Sequence, residues 1–322
     1  MPRHLDVKSN LNSFKCNVYS QFGEDGIVEE IFRRINLTLS VDNWCVEFGA
    51  WDGIKFSNTY NLIKNKNYRA VLIEADPLRF KALCKNIPSK EVHKICQIVT
   101  TDRDSSLDNI LSRTPIPENF DFLSIDIDGC DIHIFESLIQ YRPKLVCVEF
   151  NPTIPNEVEF IQPNDPKVKR SSSAKSLNQV AQKKQYSLVA ATKANLFFVP
   201  IEIKNAVTGP EPILLGDVRD DARHRIFLFS GFDGTIFTSK TFIPPKHGIP
   251  FDFDSIQQIP KYLRKYPPDY GWVENKVFRL FRAYKLSRQQ YSRLKRGLFG
   301  PNGLKWAVSR LRQIRSQGKG ID

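Results

Sequence analysis

The sequence predicts an α/β fold: a doubly wound, mostly parallel sheet that ends in an antiparallel hairpin and is followed by a basic helical extension. Three observations predict it. Five runs of strand length, "WCVEF", "RAVLIEA", "HKICQIV", "DFLSIDI" and "KLVCVEF", carry Val, Ile, Leu and Phe on consecutive positions, as strands buried on both faces do. Helix-sized segments separate them, which is the alternation of a parallel sheet covered on both sides. After the fifth run, "YSLVAA" and "NLFFVPI" are joined only by "TKA", too short for a crossover, so these two strands must pair antiparallel.

The elements follow in order. "GIVEEIFRRI" repeats apolar residues at Ile27, Val28, Ile31, Phe32 and Ile35, a helical spacing, with Asp25 placed to cap it. The five strands come next, and "SAKSLNQVAQKKQ" reads as the helix before the hairpin. We divide the chain into a body at 1–200, an appended subdomain at 201–260 and a basic tail at 261–322. The chain has 322 residues, 41% of them hydrophobic, enough to bury a full core and unlike a disordered protein. The start "MPRHLDVKSNLNSFKCN" has no apolar signal core, and no run reaches membrane-span length. The six cysteines form no CxxC pair, and Cys45 and Cys147 sit in strand runs. A reducing cytoplasm suits them and a cysteine zinc site does not. Residues 261–322 hold 16 Lys or Arg against three acids, whereas residues 1–260 hold 31 against 32. The basic character of the chain therefore belongs to its tail.

In open sheets of this type a ligand sits beyond the carboxyl ends of the strands, beside the first of them. There the sequence reads "VEFGAWDG", with Gly49 and Gly53 placed for the turn. A dinucleotide fingerprint requires a glycine between them so that a pyrophosphate can approach. Ala50, Trp51 and Asp52 stand there instead, and bulk with negative charge favours a nucleoside that has no phosphate and carries a cationic amino group. S-adenosylmethionine is such a molecule. Glu74, ending the second strand, can accept hydrogen bonds from two ribose hydroxyls in either cofactor class. The alternative for the two glycines is an ordinary tight turn.

In order along the chain, "YSQFGEDGIVEEIF", "VEFGAWDG", "SNTYNLI", "VLIEADP", "FLSIDIDGCDIHIFESL" and "VCVEFNPTIP" resemble the FkbM-like family of S-adenosylmethionine-dependent methyltransferases, which have the class I, Rossmann-like fold. The resemblance runs over residues 19–200. It implies that Glu47, Gly49 and Gly53 form the cofactor turn, that Glu74 holds the ribose, and that Asp102 lies near the adenine. It also implies methylation of hydroxyl groups on sugars and metabolites. The ending "IDIDGCD" departs from that family's acid-Val-Glu-Gly pattern, so the role of Asp128 rests on its position alone.

Asp126 and Asp128 alternate along the fourth strand and are expected on one face, and two carboxylates so close share a proton, raise one pKa or bind a cation. Either a carboxylate base or a divalent metal would assist removal of a hydroxyl proton, and Asp126 is the better candidate; its alternative is a turn acid. Glu149, an acid inside an apolar run, should face the cleft, a metal or a basic partner. Asp126, Asp128, Glu149 and Asn151 would offer oxygen ligands suited to magnesium or calcium, or form a hydrogen-bonded network without an ion. Asp131 is expected to cap the following helix, and His133 to be packed or on the surface rather than a base.

"NPTIPNEVEFIQPNDPKVKRSSS" is long, polar and rich in proline, and reads as a lid or acceptor loop. Gln21 could approach the cofactor from the other side as a donor to its carboxylate. In the tail, Val277, Phe281, Tyr284, Tyr291, Leu294 and Leu298 recur near helical spacing among Lys and Arg, and "LKWAVSRLRQI" repeats the trend. Such a cationic helix suits the inner surface of an anionic membrane, attracts nucleic acid or acidic polysaccharide, or docks on the body. The function expected is O-methylation of a sugar, glycolipid or metabolite acceptor. Two alternatives stand beside it: a non-enzymatic nucleotide-binding or scaffolding protein on the same fold, and a nicotinamide-dependent oxidoreductase, which the missing middle glycine disfavours.

Overall fold

The computed structural model describes residues 10–37, 39–241, 243 and 248–299. It forms two compact units, Met1–Arg225 and Ile226–Asp322. The first holds α1 (Glu24–Ile35), β1 (Trp44–Phe48), α2 (Tyr60–Lys66), β2 (Arg69–Glu74), α3 (Pro77–Asn86), β3 (Val92–Cys96), α4 (Leu107–Leu111) and β4 (Phe122–Ile125). It continues through α5 (Asp131–Ser137), β5 (Leu145–Glu149), α6 (Ala174–Lys183), β6 (Tyr186–Ala191), β7 (Asn195–Pro200), α7 (Lys204–Thr208) and α8 (Leu215–Val218).

These strands make one seven-stranded sheet in the order β3-β2-β1-β4-β5-β7-β6. β1 to β5 are parallel, and β7 runs antiparallel between β5 and β6. This is the fold class expected from the sequence, hairpin included. All five residues of β1 are buried because helices cover both faces and alternate side chains enter different cores. Trp44, Val46, Phe48, Val71 and Ile73 pack with α4, α5 and α6. Cys45, Ala70, Leu72 and Cys147 pack with α1 and α3 on the other side. Phe135, fully buried in the first core, makes the point in energy: its truncation to Ala would cost about 3–5 kcal/mol.

Three boundaries differ from the sequence reading. The first unit continues past residue 200 to Arg225, because the following segment is tied back into it. The Arg34 guanidinium donates to the Val207 carbonyl, and Asn156 Nδ2 donates to the Arg219 carbonyl. β3 stops at Cys96, before "QIV", and β4 stops at Ile125, so Asp126 and Asp128 lie beyond the strand rather than on it. Neither cap prediction describes the geometry found. Gly23 is the N-cap of α1, while Asp25 Oδ2 accepts from the backbone N–H groups of Val18, Tyr19 and Ser20 and so holds the segment that carries Gln21. Cys130 is the N-cap of α5, and Asp131 instead accepts from Ile127 N and Gly129 N in the turn before it.

The second unit contains a short hairpin, β8 (Leu228–Ser230) with β9 (Ile236–Thr238), and one long helix, α9 (Trp272–Phe299). The stretch 304–314, and Leu294 and Leu298 as side chains, lie outside the described residues. Among the described residues no helix is long and apolar enough to cross a membrane.

Candidate functional site

A cavity of about 520 Å³ opens at the carboxyl ends of β1, β2, β4 and β5, within the roughly 300–1,000 Å³ usual for small-ligand sites. Its first wall is the turn after β1. Gly49 has φ +77°, and a Cβ there would collide with the Asp126 carbonyl oxygen, so only glycine lets this turn press against the end of β4. Gly53, φ +78°, lies behind the turn, where a Cβ would meet the side chains of Leu83 and Ile87. It lets α3 pack and does not line the cavity. At the place where a dinucleotide fingerprint has its middle glycine, Trp51 occupies the left-handed region at φ 50°. It is pinned there by its N–H to Glu74 Oε2 at 2.8 Å. The bulk inferred from the sequence is thus real, but the negative charge of Asp52 is directed elsewhere: its carboxylate accepts from Ile54 N and Lys55 N within the turn.

Both strand-end acids of this half are buried. Glu47 accepts from Ser57 Oγ at 2.6 Å, Thr59 Oγ1 at 2.7 Å and Asn58 N at 2.9 Å. It lines the cavity and fixes the "SNT" turn that leads into α2. Burial raises its pKa, and those three hydrogen bonds pull it partly back. Glu74 accepts from Trp51 N and from Asp76 N, both at 2.8 Å. Each of its oxygens has a further lone pair, and the residue faces the cavity, so it can accept from a ligand diol.

The floor is acidic. Carboxylate oxygens of Asp126, Asp128 and Glu149 lie within 4.8 Å of one another. The three come together for a reason that strand alternation did not supply. Beyond β4 the chain turns, Asp128 enters the left-handed region at φ 60°, and Asp131 clamps the turn by its two backbone acceptances. Burial, and then the charges of Asp131 and Asp128, push the Asp126 carboxyl up to about 8. Burial, and then Asp126, push Glu149 up to about 9, although Ser171 Oγ donates to it at 3.2 Å. Burial also raises Asp131, to about 6, against the pull of the N–H groups of Ile127 and Gly129. Such a group of acids favours whatever carries positive charge: a protonated base, a sulfonium or a divalent cation.

The remaining wall is the segment between β5 and α6, a built loop rather than a loose one. Gln162, 1% exposed, donates to the Val168 carbonyl and accepts from Arg170 N and Ser171 N. Its own carbonyl bonds His133 Nε2 at 2.8 Å, which gives His133 a positioning role. Asn164, Pro166 and Lys169 from this loop line the cavity.

The geometry thus brings Gln21, Glu47, Gly49, Glu74, Asp126, Asp128 and Glu149 to one cavity and leaves three candidates outside it. Besides Gly53, Asn151 is committed to the loop: Nδ2 donates to the Arg170 carbonyl, and Oδ1 accepts from Thr153 N and Oγ1. Asp102 is exposed and bonded to Thr100, and Gln97, Ile98 and Thr100 line the cavity in its place. Sequence reasoning missed the rim. Lys55 Nζ stands 4.8 Å and Arg79 Cζ 5.1 Å from the Trp51 ring centroid. The signal available for it was a tryptophan at the place of a glycine.

No family model matches the sequence, and no curated protein does. Among solved structures the chain is similar to a SAM-dependent methyltransferase from Aquifex aeolicus, at 10% identity over 60% of this chain and 97% of that one, TM-score 0.35. It is similar to an S-adenosylmethionine-dependent methyltransferase from Clostridium acetobutylicum ATCC 824, at 8% identity over 56% and 92%, TM-score 0.36. A third is the glycopeptide N-methyltransferase MtfA complexed with (S)-adenosyl-L-methionine, at 11% identity over 57% and 95%, TM-score 0.33. Likenesses this distant add no weight of their own. The strand order, with β7 antiparallel between β5 and β6, is that of the class I methyltransferase fold.

Proposed function

We propose that this chain is an S-adenosylmethionine-dependent O-methyltransferase of the FkbM-like kind, acting on a hydroxyl of a sugar, glycolipid or metabolite. The observation that carries the reading is the placement of Glu74 and the Asp126, Asp128 and Glu149 cluster in one cavity. A diol acceptor at one strand end and an acidic floor at others complement the ribose and the positive charge of that cofactor. They oppose a pyrophosphate, which disfavours the nicotinamide alternative. When bound, S-adenosylmethionine supplies an electrophilic methyl group.

The chain's own residues do the rest. Glu74 takes the ribose hydroxyls. Glu47 keeps the "SNT" turn in place, and Gln21 is available to the cofactor carboxylate. Asp126, raised to about 8 in the empty site, loses its proton when the cofactor's positive charge arrives and can then accept the acceptor's hydroxyl proton. Asp128, and Glu149 once a bound cation has displaced its proton, face the positive charge of the cofactor, or with Asp126 would hold a magnesium ion if one takes part. The free thiols, with Cys16 and Cys96 exposed, suit a reducing cytoplasm.

Calorimetric titration with S-adenosylmethionine, S-adenosylhomocysteine and NAD tests the cofactor assignment. Binding of the first two and not the third is expected, and the reverse order would overturn it. Methyl transfer from labelled cofactor to a panel of polyols, sugars and amines then separates an enzyme from a scaffold and a hydroxyl from an amine acceptor. Asp126→Asn should keep affinity for S-adenosylhomocysteine, which lacks the sulfonium charge, and lose about a hundredfold in turnover at saturating S-adenosylmethionine; EDTA decides whether a metal shares the task.

A further inference from the structure

The helix α9 is the longest among the described residues, and it carries an apolar stripe with nothing of its own unit on it. At about 100° per residue, Val273, Val277, Leu280, Tyr284 and Tyr291 fall within an arc of about 60°. Val273, Leu280 and Tyr291 are 63%, 73% and 70% exposed. The helix does have a docked face, but it is the other one: Phe278 packs against Tyr270, the rings tilted at 43° with centroids 5.3 Å apart. Phe281, which the sequence reading put on the stripe, is half-buried on its edge.

The charge around the stripe identifies the occupant. From Asn275 to Phe299 the sequence has eight Lys or Arg and no acid. The one acid of the helix, Glu274, is paired with Lys265. Lys276 and Arg288 flank the stripe on either shoulder, with Lys276 Nζ 3.7 Å from the Trp272 ring centroid and Arg288 Cζ 5.8 Å from that of Tyr284. A second copy of the helix laid on the stripe would bring these cations face to face, so self-association through it is opposed. Nucleic acid would use the cations and leave the stripe in water. An anionic bilayer uses both: apolar side chains enter the boundary between headgroups and acyl chains, each basic residue near the surface adds attraction, and Trp and Tyr favour that depth. We propose that α9 lies along an anionic lipid surface, stripe inward, as a peripheral membrane anchor. It lies on the membrane and does not span it, because eight Lys and Arg are spread along it.

The test is co-sedimentation of the full chain with vesicles of phosphatidylcholine alone or with about a third phosphatidylserine. Binding to the anionic vesicles only, weakened as salt rises, is expected. Leu280→Ser and Tyr284→Ser should each weaken it by about tenfold without changing cofactor binding or helical content. Equal affinity of both variants and the wild type for anionic vesicles overturns the proposal, as does failure of the wild type to sediment. If the serine variants also retain wild-type affinity for an RNA or DNA oligonucleotide that the wild type binds more tightly than vesicles, the partner is nucleic acid. If light scattering finds a wild-type dimer that the same variants dissolve, the stripe seats a second copy; either result refutes the membrane assignment.

Discussion

Glu149→Gln should gain stability over the wild type as the pH rises, and the effect can be worked from the cluster. Burial and the neighbouring charge of Asp126 raise the Glu149 carboxyl from 4.5 to about 9. Below pH 4.5 the folded and unfolded chains both hold the proton. Between pH 4.5 and about 9 only the folded chain holds it, so the unfolded state binds fewer protons and stability falls with rising pH. Each unit costs about 1.4 kcal/mol per proton. At pH 7 the loss relative to acid solution is therefore about 3 kcal/mol for this one group, a large share of a typical folding free energy. Glutamine has the shape of the protonated acid and still accepts from Ser171 Oγ, but it cannot ionise.

Urea denaturation at pH 5.5, 7.0 and 8.5, with EDTA present so that no divalent cation screens the acids, measures the difference. The variant's advantage over the wild type should grow by up to about 4 kcal/mol across that range, with unchanged m-values. Parallel pH profiles would show that Glu149 is ionised at neutral pH, and the account of the floor as a group of acids kept protonated by burial would fall.

Other consequences follow from the same geometry. Gly49→Ala must hold a left-handed φ and drive a Cβ into the Asp126 carbonyl, and should cost several kcal/mol or abolish folding. Gly216→Ala, on α8 with open space around it, should leave the thermal midpoint unchanged or raise it; equal effects would mean that the contact with Asp126 is not what requires glycine. Glu74→Gln presents an amide N–H2 to the N–H of Trp51 or Asp76, so S-adenosylmethionine affinity should fall tenfold to a hundredfold, about 1.5–3 kcal/mol; unchanged affinity by calorimetry removes Glu74 from the ribose site. A cation about 5 Å from the floor acids contributes about 3 kcal/mol at an effective dielectric near 20, about two pKa units. Binding of S-adenosylmethionine at pH 7.5 should therefore release about one proton and S-adenosylhomocysteine fewer, read from calorimetry in buffers of different ionisation enthalpy; equal release by both would contradict the proposed position of the sulfonium.

The sheet was legible because its signal is local and repeated: mostly apolar runs of strand length, such as Trp44–Phe48 and Leu145–Glu149, alternate with helix-sized segments. The hairpin was legible because three residues between strands leave no alternative. The site was legible where an acid ended a strand, as at Glu47, Glu74 and Glu149, since strand ends fix position. It was not legible where a side chain's destination depended on tertiary partners. Asn151 looked like a ligand and is held by Arg170 and Thr153. Asp25 and Asp131 looked like helix caps and instead clamp the segments before their helices. Gly53 looked like part of the cofactor turn and is room for Leu83 and Ile87. Trp51, at a glycine's place, was read only as bulk, and its company of Lys55 and Arg79 depends on a φ that no residue pattern announces.

The floor also constrains which ligands the cavity can accept, independently of any resemblance. A buried group of carboxylates lowers the stability of the folded chain throughout the range in which its members are forced to stay protonated, and amides of the same shape would remove that cost. A ligand whose positive charge reaches the cluster recovers part of it, and the recovery becomes differential affinity for that ligand over a neutral one of equal shape. A pyrophosphate would add negative charge to the same place and gain nothing. The acids therefore select for a cationic occupant before any contact is counted. Once a methyl group has left a sulfonium, the occupant is neutral and that part of its affinity is gone. On this reasoning the acids that weaken the fold at neutral pH are also what would let the product leave.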